Sequence, residues 1–281
     1  MSPRMSRRAR FLVLVSLLAA MAVAGCRKEG AQGGPATASA QAGAASATGV
    51  VAAPALEDLM ERDPRYLIGI SYPPEARAYP GLAKRLKDYA DAARTEVMQA
   101  VSGLGDQRPT APYDLSLGFS MLMETPDVVA VAGDGSSYTG GAHGNPLVAR
   151  FVWLPRRGEA LTAAALIPDP EGWKPVADYV RDQLVAGLST RVDAAGPEPA
   201  DRAEMLRNGA RMIDDGTAPV ASNFDLFEPL PGADGKLGGL RFVFPPYQVG
   251  PYSDGVQSVD VPASVLLPVM SPTYRALFGG G

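Results

Sequence analysis

Among 281 residues this chain has one cysteine, one histidine and two tryptophans. A single cysteine excludes an internal disulfide, even in a compartment that would permit one. One histidine with one cysteine cannot supply the three or four nitrogen and sulfur ligands of a usual zinc site. A carboxylate-only site for Ca²⁺ or Mg²⁺ stays open, but no EF-hand pattern marks a calcium loop and no glycine-rich run ends in Gly-Lys-Ser/Thr, so the expectation is neither a metal nor a cofactor. Positive charge is also short: 26 basic against 30 acidic residues leave a formal −4 with no basic cluster in the folded part, a poor match to nucleic acid. Long apolar runs are lacking too. The most apolar one, Phe11 to Ala24, has fourteen residues, fewer than a bilayer crossing needs.

What is present starts with that run. Arg4, Arg7, Arg8 and Arg10 precede it as a positive n-region, and Val23-Ala24-Gly25-Cys26 closes it with small residues before the lone cysteine. This is the pattern of a bacterial lipoprotein signal, so residues 1–25 are expected to be removed and Cys26 to become the lipidated N-terminus. Taking the four arginines from the formal −4 leaves −8 on the mature chain. Arg27, where retained inner-membrane lipoproteins carry Asp, favours the outer membrane, with the protein facing the periplasm. Gly30 to Ala55 contains no charge and consists of Gly, Ala, Ser, Thr, Gln, Pro and Val. Such a composition buries too little apolar surface to fold, so 26–55 is expected to be a tether with a reach of about 30 Å.

Residues 56–281 carry the folded part. Tyr66 to Tyr72 alternates and stops at Pro73-Pro74, which predicts a strand. Leu82, Leu86, Tyr89, Ala93, Val97 and Ala100 recur at helical spacing, which predicts an amphipathic helix covering a sheet. Tyr113 to Met123, Asp127 to Ala132 and Leu147 to Trp153 read as further strands, with a glycine-rich stretch before the last. A helix from Trp173 to Leu188 follows, then a second from Asp201 as N-cap to Ile213, ended at Gly216. Asn223–Leu230, Gly239–Phe244 and Val256–Val261 read as strands, and Ala263–Met270 as a short helix. The order predicts an α+β fold of mainly antiparallel sheet packed with helices. It also fits two α/β lobes, 56–170 and 171–281.

Two motifs carry more than composition. Tyr138-Thr139-Gly140-Gly141-Ala142-His143-Gly144 precedes the strand ending in Trp153, and Phe244-Pro245-Pro246-Tyr247-Gln248-Val249-Gly250-Pro251-Tyr252 precedes Val259-Asp260-Val261-Pro262. Together with Asn223 to Phe227 they resemble the extracytoplasmic region shared by RsiV-type anti-sigma factors and the non-catalytic N-terminal part of PdaC-type peptidoglycan deacetylases, a family of unknown function. The resemblance covers about residues 65 to 270. It implies a domain that binds lysozyme in the first group and accompanies a catalytic domain in the second. Neither a sigma-binding segment nor the Asp and two His of a deacetylase metal site is seen in these 281 residues.

The candidate ligand-binding residues are therefore Tyr138, Gly140, Gly141, His143, Tyr247 and Tyr252. The glycines have a structural alternative, as carriers of a tight loop, and the tyrosines another, as packing residues. His143 with Ser136 or Ser137 and Asp134 supplies the residue types of a catalytic triad, but no nucleophile-elbow pattern accompanies them. The acids from Glu57 to Asp63 and Asp214-Asp215 read as solvated faces. The expected function is a non-enzymatic, envelope-anchored binding domain for lysozyme or a cell-wall component. A peptidoglycan-binding module and a cell-wall hydrolase are the alternatives, and none of the three involves nucleic acid.

Overall fold

The computed structural model describes residues 55–279. The expected signal peptide, Cys26 and all but the last residue of the expected tether lie outside them. A first sheet has six strands in the order β1 (Leu59–Asp63), β2 (Tyr66–Ser71), β3 (Tyr113–Glu124), β4 (Val129–Tyr138), β5 (Asn145–Leu154) and β6 (Glu159–Ala160). Neighbours are antiparallel except β2 and β3, which run parallel because helix α1 (Pro80–Gly103) carries the chain back between them. A short α2 (Ala163–Leu166) leads to two long helices, α3 (Trp173–Ala195) and α4 (Pro199–Gly216). A second, antiparallel sheet follows: β7 (Phe227–Pro231), β8 (Leu237–Phe244) and β9 (Gln257–Pro262), then α5 (Ala263–Leu266). The fold is α+β with mainly antiparallel sheet. Among the described residues no helix is long and apolar enough to cross a membrane.

Two cores flank the first sheet. On one side α1 buries Leu82, Leu86, Ala90, Ala93, Val97 and Val101, the stripe its period dictates, against Ile68, Ile70, Leu115, Leu117 and Phe119 of β2 and β3. On the other, Val128, Ala130, Val152 and Leu154 join α3, α5 and the second sheet around Trp173, Phe224 and Phe242. Strand β4 serves both: Val129 and Val131 face the α1 side while Ala130 faces the other. With both faces covered, its first half is continuously apolar rather than alternating.

Four sequence expectations are corrected. The strand expected to end at Ala132 continues to Tyr138, because Asp134 to Tyr138 keep pairing with β3 and β5 after burial ends; only the composition changes there. The helix expected to start at Asp201 begins at Pro199, whose fixed φ suits a first helical position; Asp201 sits in the first turn, where a negative charge is favoured by the helix dipole. The strand expected from Asn223 begins only at Phe227. Residues 221–224 form a 3₁₀ turn because Phe224 turns inward to stack on Trp173, 5.0 Å between ring centres. The acidic stretch before Arg65 is not a plain solvated face: it contains β1, and Glu61 takes a two-pronged contact from Arg94 at 2.9 and 3.0 Å.

A row of charges crosses from one sheet to the other. Asp134 on β4 accepts from Arg150 on β5 at 2.9 Å, and Arg150 donates to Glu228 on β7 at 2.6 Å. Glu228 lies within 4.0 Å of Arg241 on β8, which holds Asp260 on β9 through bonds of 2.6 and 2.9 Å. The Arg150 and Glu228 side chains are 8% and 15% exposed, so this pair is sheltered at the join between the sheets.

Candidate functional site

Both motifs form hairpin loops. The first, 139–144, joins β4 to β5. Gly140 and Gly141 adopt φ of 104° and 102°, outside the range of L side chains, and the Tyr138 hydroxyl closes the loop by donating to the Gly141 carbonyl at 3.2 Å. The second, 245–256, joins β8 to β9 and is anchored from below. The Gln248 side-chain amide donates to the carbonyls of Gly216 and Asn223 at 3.0 and 2.9 Å, and Val249 is buried. Gly216, the last residue of α4, permits this approach: a Cβ there would stand 2.0 Å from the Gln248 carbonyl oxygen. A tight turn results, with the Tyr247 N–H donating to the Gly250 carbonyl at 2.9 Å, and it holds Tyr247 at φ 73°.

The loops meet on His143. Its imidazole stacks on Tyr252 with 4.2 Å between ring centres and 23° between planes, and the Tyr247 ring lies 5.8 Å from that of Tyr252. Nδ1 of His143 stands 3.0 Å from the Gly144 carbonyl, and Nε2 stands 3.3 Å from the Tyr247 hydroxyl. A carbonyl only accepts, so Nδ1 carries the proton, and in the neutral ring Nε2 accepts from Tyr247. Both nitrogens are thereby engaged, and neither bonds to Ser136 or Ser137; Asp134 pairs with Arg150 instead. The triad pattern is not assembled.

Of the six candidates, His143, Tyr247 and Tyr252 come together as one face, with Tyr247 57% and Tyr252 37% exposed. Tyr138, Gly140 and Gly141 shape the first loop without joining that face. Sequence reasoning missed the groove beside it, a cavity of about 420 Å³ between α3, α4 and the second loop. Leu188 and Val192 of α3, Met205 and Met212 of α4, and Val249 and Pro251 of the loop line it; Arg191 and Asp254 pair across it at 3.5 Å. The signal was available: Met205, Gly209 and Met212 share one face of a helix. Among the described residues no group of three or more His, Cys, Asp or Glu could hold a metal.

Residues 236–264 span β8, the loop bearing Tyr247 and Tyr252, β9 and the start of α5. This stretch matches the model of DUF3298, a family of proteins of unknown function. Two solved structures are similar to the chain. A member of the DUF3298 family from Bacteroides fragilis NCTC 9343 is 13% identical, with 78% of this chain and 94% of that one covered and a TM-score of 0.47. A DUF3298 family protein from Pseudomonas aeruginosa PAO1 is 17% identical, with 80% and 96% covered and a TM-score of 0.46. No curated protein matches the sequence.

Proposed function

We propose that this protein is a lipid-anchored binding module of the cell envelope, facing the periplasm, whose His143–Tyr247–Tyr252 face recognises a basic cell-wall enzyme of the lysozyme type. The observation that carries the reading is the convergence on one exposed aromatic face of two loops 104 residues apart. Tyr247 holds a left-handed backbone that costs a bulky residue on the order of 1–3 kcal/mol, and such strain clusters at functional sites. Exposed tyrosines fixed by their neighbours lose little rotamer entropy on contact and are frequent interface anchors. The apolar groove next to Tyr252 offers a socket for a partner's side chain. A formal −8 after loss of the expected signal peptide favours a cationic partner. The two motifs, through their resemblance to lysozyme-binding anti-sigma factors, narrow the partner class.

Calorimetric titration with a basic lysozyme at two salt concentrations tests this. The expected result is micromolar or tighter binding that weakens with salt, and at least a tenfold loss in Tyr252→Ala. Absence of binding at both salts would overturn the lysozyme reading; if purified sacculi then pulled the protein down, the same face would be read as a peptidoglycan site. The anchor has its own test: palmitate labelling that disappears in Cys26→Ser.

A further inference from the structure

A second cavity, of about 440 Å³, lies at the other end of the first sheet. Strand β4 starts one residue after Val128 of its lining and runs ten residues to the loop of His143, about 30 Å away. Buried Val128, Leu154 and Leu237 form its floor. Its walls come from turns far apart in sequence: Arg156 and Arg157 after β5, and Lys236 at the end of the β7–β8 connection. In a chain of net negative charge, three cations meet here with one acid, Asp127, among the lining residues.

These cations differ in how firmly they are held. Arg157 is fixed in place: it donates to the Thr273 carbonyl at 2.7 Å, pairs with Glu159 outside the lining at 3.7 Å and lies 5.0 Å over the Tyr274 ring. Arg156 pairs with Asp127 at 3.1 Å, but both side chains are well exposed, and such pairs contribute little. Lys236 donates to the Ala276 carbonyl, a neutral acceptor, and forms no salt bridge among the described residues. Its position is set by a connection in which Asp234 takes a left-handed backbone, φ 53°, and the Gly232 N–H donates to the Lys236 carbonyl at 2.8 Å. The cavity thus has an apolar floor, one braced guanidinium and two cations free to exchange weak partners for a stronger one.

We propose that this cavity binds a small organic anion: a carboxylate or phosphate head between Lys236, Arg156 and Arg157, with an apolar body on Val128, Leu154 and Leu237. Its volume is that of a small-ligand site, and a few convergent polar groups over an apolar lining are the usual makeup of one. The site is separate from the aromatic face and does not rest on the partner assigned to that face.

The test is calorimetric titration of the full chain with hexanoate, hexyl phosphate, hexanol and inorganic phosphate. The expected result is that hexanoate or hexyl phosphate binds at least tenfold more tightly than either hexanol or inorganic phosphate; which of the two is tighter identifies the head group. Lys236→Met, which keeps the stem of an exposed side chain and removes the charge, is expected to weaken that binding about tenfold, the worth of one charge-assisted hydrogen bond, with Tm unchanged. Tyr252→Ala is expected to leave it unchanged. Hexanol or inorganic phosphate binding as tightly as the tighter of the two anionic amphiphiles, absence of binding by both of these, or binding undiminished in both Lys236→Met and Arg156→Gln would overturn the proposal.

Discussion

The two faces of strand β4 are packed in different styles. Against α1 the fully buried layer is mainly aliphatic and regular: leucines, valines and alanines on one helix face meet alternate residues of parallel and antiparallel strands, and its aromatic rings, Tyr72, Tyr89 and Phe151 around Phe119, gather at the partly buried margin. Against α3 the fully buried layer is centred on aromatic rings: Trp173 stacks on Phe224, which meets the edges of Phe242 and Phe244 at 5.3 and 6.2 Å, and these rings come from a helix, a 3₁₀ turn and a strand. An aliphatic layer tolerates small shape changes because its side chains can repack, whereas an interlocked ring cluster leaves a large void when one ring is lost.

That difference can be broken by substitution. Trp173→Ala is expected to destabilise most, by about 4 kcal/mol, since it removes the largest fully buried ring and leaves the Ile167 carbonyl without the indole N–H that reaches it at 3.1 Å. Leu86→Ala, the matched change on the α1 side, is expected to cost about 3 kcal/mol; denaturant unfolding of both variants checks the order. Arg150→Ala acts at neither core but at the join of the sheets. It should cost about 2 kcal/mol, because Glu228 would be left sheltered with its closest cation gone.

A pH series sharpens the comparison on the α1 side. Burial, helped by the negative charges of Asp91 and Asp58, pushes the Tyr72 phenol up to about 12 from an ordinary 10.0. The folded state therefore holds that proton more tightly than the unfolded chain does. The stabilising contribution is fully present below pH 10 and is lost as pH rises through 12. Tyr72→Phe, which keeps the ring stacked on Phe119, is expected to reduce the fall in Tm over that interval. The smallest stability effect belongs to the aromatic face: Tyr252→Ala, at an exposed site, is expected to change unfolding free energy by less than about 1 kcal/mol while altering partner binding.

The same contrast explains what could be read from the sequence. The core on the α1 side announces itself through period: Leu82, Leu86, Ala93 and Val97 on a helix, and Leu115, Leu117 and Phe119 on a strand, are spaced as their elements require. The aromatic core does not, because Phe224 enters it from a turn whose inward direction depends on a ring 51 positions earlier in the chain. Strand β4 past Ala132 was hidden for a related reason, since its pairing persists where its burial stops. At the site, glycine and proline mark two loops, and tyrosine and histidine mark their surfaces. That His143 would meet Tyr247 and Tyr252 is a tertiary fact with no local signal. The helix face of Met205 and Met212 has a local signal, but the loop of Val249 and Pro251 that makes it a groove does not, and the cavity walled by Arg156 and Lys236 is visible only once distant turns are side by side.

The row from Asp134 through Arg150, Glu228 and Arg241 to Asp260 acts as a vernier scale between the sheets. Signs alternate at every step, so a slip that moved one sheet by a single charge along the other would set carboxylate against carboxylate and guanidinium against guanidinium. Hydrophobic contact alone would accept several nearby alignments of the same two surfaces; the scale accepts one. Because β5 leads back to the loop of His143 and β8 leads out to that of Tyr247, the reading on the scale also decides whether the two loops arrive at the same place.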